Sequence, residues 1–341
     1  MKNKSLIFST LALILIIAAL GVYFLSKKEV KYIHNEGEAQ GTTYSITYLQ
    51  PNGIDLQNKI EARLHEFDMS LSSYIPNSII SRINRNDTTV RTDVLFETMF
   101  NEAQEVSKRT SGALDITVGP LVKAWGFAFG NKDHSKLPNV SDFLPYIGYE
   151  KVRLKDHKVI KDDPRILIDA NSIAQGYSSD IIAKLLQDNK CQNYMVEIGG
   201  EIVCKGLNDK GQKWRIGIDK AIDDSTSTTD ELQTIISITD CAVTTAGGYR
   251  KFYIKDGKKY SHIINPHTGR PIDNNMLSVT VVAPTGIMAD AYDTPFMVLG
   301  VDSCLKICKR TPGLECYLIY SDNKGKNKII YTKGFKKYLT Q

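Results

Sequence analysis

The sequence predicts a mixed α+β fold, and three observations carry that expectation. Segments with helical apolar spacing are prominent in the first half, strand-like segments dominate from Asn193 onward, and an Asp256-Gly257 turn pair separates two β-prone runs. A chain of 341 residues with 42% hydrophobic and 24% charged side chains can bury a full core, as one large domain or two intimate ones. This composition lies outside that of disordered proteins. The 43 basic and 38 acidic side chains leave a net charge of +5 with no dominant basic block, which argues against a nucleic-acid partner.

At the N-terminus, Lys2 and Lys4 precede an apolar run over residues 6–25, and Lys27 and Lys28 follow it. About 20 apolar residues span a bilayer as a helix, more than the core of a cleaved signal peptide, so residues 1–28 read as a membrane anchor or signal segment. The uncleaved anchor is favoured, because the only cleavage-like stretch, Ala18-Ala19-Leu20-Gly21, is weak, and no cysteine follows it to take a lipid. A short two-lysine head stays in the cytoplasm, which places the remainder on the periplasmic, extracytoplasmic side of the inner membrane. Residues 29–38 are polar and read as a linker, and the folded body is expected over residues 39–341.

Within the body, residues 42–49 alternate as a strand, and Ile54, Ile60, Leu64 and Phe67 mark a helix over residues 54–69. A second helix is expected over residues 94–109, with Asp93 as its N-cap. Residues 152–160 read as a hairpin around Asp156-His157, residues 165–168 as a strand and residues 173–188 as a helix. Strands follow at 194–198, 201–205, 214–218 and 234–239, interrupted by a polar tract over residues 223–231 that reads as a mobile loop. Residues 252–264 form the strongest hairpin and residues 277–283 another strand. A helix is expected to start near Asp293 and a further one to cover residues 304–309. The six cysteines contain no C-x-x-C pair; Cys304 and Cys308, at helical spacing, read as small buried hydrophobes, with disulfides an open option outside the cytoplasm.

Chemistry concentrates in a few segments. Ala289-Asp290-Ala291-Tyr292-Asp293-Thr294-Pro295 sets two carboxylates and a hydroxyl at positions i, i+3 and i+4, which share one side of a helix. Magnesium takes one or two carboxylates together with water and substrate phosphate, so the cluster suits a nucleotide-bound ion. The same residues also fit a helix start, with Thr294 as N-cap and Pro295 at N1. His262, one of six histidines, has the residue type to accept a proton near neutral pH, and equally suits a structural role at a strand end. Gly199-Gly200 and Gly247-Gly248 lie beside strands, where they allow amides to approach an anion or form tight turns. Residues 110–121 lead into Trp125-Gly126-Phe127, an apolar, glycine-punctuated stretch suited to a flat ring or to a core corner. The P-loop, dinucleotide-fold, zinc-protease and nucleophile-elbow signatures are absent.

Taken in order, seven segments resemble the FAD:protein FMN transferase family. They are Gly41-Thr42-Thr43-Tyr44, Ser73-Tyr74 through Ser81-Arg82-Ile83-Asn84, Gly112 to Pro120 with Trp125-Gly126-Phe127, Ile168-Asp169 through Gly176-Tyr177, Gly199-Gly200-Glu201, Ser261-His262-Ile263-Ile264 and Ala289-Asp290. The resemblance extends from Ala39 to Gly300. It implies largely antiparallel sheets flanked by helices, with FAD in a cleft between two closely packed halves. It implies Mg2+ held by a backbone oxygen of Ser172 and by Asp290, Asp293 and Thr294. FAD contacts map onto Gln40, Tyr74, Ala113, Leu114, Asp115, Asp169, Gln175 and the main chain at Ile264, and His262 matches the histidine that assists proton removal from the acceptor.

The implied reaction is magnesium-dependent transfer of FMN from FAD, the substrate, to a threonine or serine hydroxyl of an acceptor flavoprotein subunit of a membrane redox complex, releasing AMP. Four positions depart from the family pattern: Gln40 stands for Met, Gln175 for Lys or Glu, Ala246 for Ser and Asn265 for Asp. The departures at Gln175 and Asn265 each remove a charge, which alters contacts to the ligand and the setting of His262. Two alternatives stay open: water as the acceptor, giving an FAD pyrophosphatase, and FAD binding without turnover.

Overall fold

The computed structural model describes residues 30–127, 136–221, 231–249 and 251–340. The apolar run over residues 6–25 and nearly all of the polar tract over residues 223–231 lie outside them. Among the described residues no helix is long and apolar enough to cross a membrane.

An eight-stranded antiparallel sheet organises the chain. Its strands are β1 (Ile33–Ala39), β2 (Thr42–Tyr48), β3 (Tyr194–Ile198), β4 (Glu201–Lys205), β5 (Cys241–Gly247), β6 (Met276–Ala283), β7 (Glu315–Ser321) and β8 (Asn327–Tyr331), and their order across the sheet is their order along the chain. Except for a short helical turn over Lys333–Tyr338 after β8, the other described elements are inserted between neighbouring strands. The β2–β3 insertion carries α1 (Gln57–Leu71), α2 (Val94–Arg109) and α3 (Ala174–Asp188), and the β6–β7 insertion carries α4 (Gly286–Leu299) and α5 (Val301–Arg310). Helices α3 and α4 pack on one face of the sheet. On the other face, a ribbon of Trp214–Asp219 and Leu232–Ile238 lays Trp214, Ile218, Ile236 and Ile238 over Val243, Val282 and Ile319. With both faces covered, β6 is buried along most of its length, which erases the polar alternation of a one-sided strand. All six cysteines are buried, with free thiols.

Where signals are local, the expected elements form. Asp93 Oδ1 accepts from Phe96 N at 2.8 Å and caps α2. The hairpin turns at Asp156-His157 (φ 52° and 59°) and Asp256-Gly257 (φ 50° and 73°) adopt the left-handed backbone that tight turns require.

Four expectations are corrected. The stretch read as a linker over residues 29–38 contains most of β1, which pairs with β2 at seven positions from Ile33 to Ala39. It is an edge strand with much of its surface toward solvent, so its composition looks like a tether. Residues 165–168 are not a strand: the side-chain amide of Asn84 donates to Ile168 O at 2.9 Å and accepts from Ile168 N at 2.7 Å, replacing a partner strand. The helix expected to start near Asp293 starts at Gly286, and Pro295 and Thr294 lie inside it. Its cap comes from α3, where the Asp180 carboxylate accepts from Gly286 N at 2.7 Å and Ile287 N at 2.8 Å. Finally, β7 and β8 form at the C-terminal end, where the sequence reading placed no strand.

Candidate active site

A contact between glycines sets the geometry where α3 meets α4. A Cβ on Gly176 would stand 2.3 Å from Gly286 O and 2.6 Å from Asp290 Cβ, so only bare backbone lets the two helices approach this closely. The approach brings Asp290 onto the N-terminus of α3, where Gly176 N donates to its Oδ2 at 2.8 Å. Asp293 follows one turn later on the same helix. The third member comes from the sheet: the turn at Gly199 and Gly200 (φ 65° and 99°) delivers Glu201 at the head of β4. One carboxylate oxygen each of Glu201, Asp290 and Asp293 lie within 4.8 Å of one another, and all three residues are buried.

Burial dominates the electrostatics. It pushes the Asp290 carboxyl up to about 7, with Asp180 adding to the effect and the Gly176 and Gln175 amides opposing it. Asp293 and Glu201 are driven well above the ordinary carboxylate range by burial and then by their acidic neighbours; the Thr245 amide pulls Glu201 down only in part. No ion pair to a described residue reaches any of the three. Glu201 Oε2 is buried with no hydrogen-bond partner. Such a set of hard oxygen donors, without a compensating positive charge, fits a divalent cation such as magnesium. Thr294 Oγ1 donates to Asp293 Oδ1 at 3.1 Å. Ser172 lies in the turn that enters α3, on the approach to the Asp290 contact.

The residues expected at FAD divide into two groups joined by the chain from Asp169 to Gly176. The first lines a cleft of about 440 Å³ that includes Tyr74, Arg85, Lys123, Asp169 and Asn171. There Asp169 accepts from Asn171 N at 2.8 Å, Asn171 Nδ2 donates to Tyr74 OH at 3.4 Å, and Asp169 N donates to Ile116 O at 2.7 Å. That last bond ties the cleft to Ala113, Leu114 and Asp115. Ala113 and Leu114 are buried, and both Asp115 oxygens are engaged, by Thr117 N and Oγ1 and by Tyr149 N. The side chains of this segment are thus engaged within the fold.

In the second group, Gln40 and Gln175 lie at the start of α3 near the carboxylates, while Ile264 belongs to a hairpin packed on the Trp125 segment. Gln40, in the β1–β2 turn at φ 55°, accepts from Ser178 Oγ at 3.3 Å, while its Nε2 is buried without a partner. The Gln175 amide packs against Gly199, where a Cβ would stand 2.3 Å from Gln175 Nε2. Ile264 pairs with Pro271, and because Ile272 N bonds to Ile263 O, the alternation of an antiparallel ladder turns the N–H and C=O of Ile264 away from that partner.

His262 has its protonation pattern set by a neighbour. Its Nδ1 lies 3.0 Å from Lys251 O, and a carbonyl only accepts, so Nδ1 carries the proton and Nε2 presents a lone pair. Burial pushes its pKa down to about 4, which keeps the ring neutral at pH 7. An aromatic series leads to it: Trp125 on Tyr260 (centroids 5.6 Å apart), Tyr260 on Tyr253 (5.1 Å), Tyr253 on Phe127 (5.4 Å) and Phe127 on His262 (6.4 Å). A larger cavity of about 530 Å³, lined by Tyr32, His34 and Trp214 among others, lies toward the ribbon side of the sheet, away from the carboxylates.

Sequence reasoning missed Glu201 as an acidic partner. Gly199-Gly200-Glu201 stood out for its glycines, and the only further signal was a carboxylate next to a turn.

The sheet with its two helical insertions is the flavin-transferase fold. The solved structure of flavin transferase ApbE from Vibrio cholerae matches with a TM-score of 0.82 at 35% identity, over 91% of this chain and all (100%) of that one. The ApbE protein from Thermotoga maritima matches at 0.78 and 25% identity, over 91% and 100%. The chain belongs to the ApbE family, whose family model matches residues 40–318. It is similar to the FAD:protein FMN transferase of Vibrio cholerae, 36% identical over 326 residues and 92% of each chain, and to that of Haemophilus influenzae, 35% identical over 316 residues, 88% of this chain and 89% of its relative.

Proposed function

We infer that this protein is an FAD:protein FMN transferase that uses a divalent cation, Mg2+, and FAD as substrate. The observation that carries the cation is the buried, uncompensated acidic group at the α3–α4 contact. Asp290, Asp293, Thr294 and the Ser172 backbone oxygen would hold the ion, and bound magnesium supplies neutralising charge at the diphosphate of FAD. The cleft bearing Tyr74 and Asp169, together with Gln40, Gln175 and the Ile264 backbone, positions the dinucleotide. The acceptor hydroxyl attacks the phosphorus of the FMN half, its proton passes to Nε2 of His262, and the bond to AMP breaks.

The acceptor in this reading is a threonine or serine of a flavoprotein subunit in a membrane redox complex. The lysine-flanked apolar run over residues 6–25 supports an anchor in the inner membrane with the body on the periplasmic side. The test is intact-mass spectrometry of a candidate acceptor incubated with enzyme, FAD and Mg2+. A gain of one FMN is expected, and none when a chelator is present from the start; free FMN with an unmodified acceptor would replace transfer by hydrolysis, and intact FAD would leave a binding protein.

A further inference from the structure

We propose that Glu201 is a third carboxylate ligand of the cation, reaching it from the sheet while Asp290 and Asp293 reach it from the helix. The proposal rests on the cation reading above. Glu201 is 8% exposed, and its Oε2 has no hydrogen-bond partner. A buried acceptor left unsatisfied costs free energy that a ligand would recover. Its carboxylate lies in the same 4.8 Å group as those of Asp290 and Asp293. No described cation occupies that space as a substitute.

The supporting frame leaves Glu201 little freedom. Its carbonyl accepts from Ser179 Oγ of α3 at 2.9 Å, and its backbone pairs with Ile198 across the hairpin. The turn before it is held by two left-handed glycines and closed over by Gln175. Asp290 and Asp293 stand on one helix, and the Ser172 oxygen comes from the turn that enters α3. A carboxylate on the facing strand makes the ion a bridge between α4 and the sheet. Oxygen-only donors select a hard ion, Mg2+ or Mn2+.

The test uses the full-length protein without FAD and Mn2+ as the probe, read by calorimetry. Glu201→Gln, which preserves shape and removes charge, is expected to weaken Mn2+ binding by at least the roughly 10- to 100-fold that losing an outer-shell partner costs, while Asp290→Ala abolishes it. If Glu201→Gln binds Mn2+ like the parent and Asp290→Ala does not, the third-ligand assignment is overturned while the helix aspartates keep their role. If Asp290→Ala also binds normally, the whole cation site is misplaced. A measurement independent of any variant is anomalous diffraction from crystals grown with Mn2+: a peak bonded to a Glu201 oxygen is expected, and a peak beyond hydrogen-bonding distance from it overturns the proposal.

Discussion

The tautomer and charge of His262 are set by a carbonyl and by burial, neither of which its position in the sequence discloses. Lys251 O holds the proton on Nδ1, and burial keeps the ring uncharged down to about pH 4. Replacing it with alanine should lower the transfer rate by about 10²- to 10⁴-fold and leave FAD affinity within a few-fold, as read by single-turnover mass spectrometry and flavin fluorescence. Asp290 behaves in the opposite way. In the ion-free protein its pKa of about 7 means that protons compete with the cation below neutrality. Apparent Mg2+ affinity should therefore rise with pH by up to about tenfold per pH unit for each proton displaced, through 7 and beyond, since Asp293 and Glu201 are raised as well. Calorimetry at pH 6 and 8 checks this, and equal affinities would contradict the burial of that carboxylate.

At the scale of elements, the contact between α3 and α4 holds the site together. Gly176→Ala would drive a methyl group into Gly286 O and Asp290. Overpacking of this kind costs about 1–3 kcal/mol, and because Asp290 lies at the same contact, Mg2+ affinity should fall together with the urea midpoint. Asp180→Ala removes the cap of α4 without touching the carboxylate group directly. Two buried amides lose their acceptor, a loss of about 1–3 kcal/mol, and the expected signature is a lower unfolding midpoint with a largely preserved cation affinity at low denaturant. Helix α2 was legible because its cap, Asp93, is its own neighbour in the chain. The start of α4 was not, because its cap belongs to α3, 106 residues away.

For the whole molecule, the buried acidic group makes stability depend on pH. An unfolded aspartate titrates near 3.9, whereas burial pushes Asp290 up to about 7 and Asp180 up to about 6 in the folded protein. The folded state thus retains protons that the unfolded chain has released, and the stability this contributes is present below about pH 4 and lost as pH rises through 7. His262 works in the opposite sense between its folded value of about 4 and its unfolded value near 6.5, so the clean window lies above pH 6.5. Ion-free protein should melt at a lower temperature at pH 8 than at pH 6.5, and saturating Mg2+ should narrow that difference; an unchanged melting temperature across the window would contradict the electrostatics of the site.

The sequence by itself determined what short-range chemistry specifies: the hairpins at Asp156-His157 and Asp256-Gly257, the capped helix α2, the i, i+3, i+4 oxygens of Asp290, Asp293 and Thr294, and the ordered segments that mark the family. Long-range packing brings Glu201 to the two aspartates, caps the start of α4 with Asp180, makes β1 an edge strand instead of a tether, and engages both oxygens of Asp115. The physical reason is that local propensity acts over a few residues, whereas desolvation and the convergence of oxygens depend on which distant segments meet. That meeting is set here by two bare glycines, Gly176 and Gly286, whose close approach no spacing rule along the chain contains.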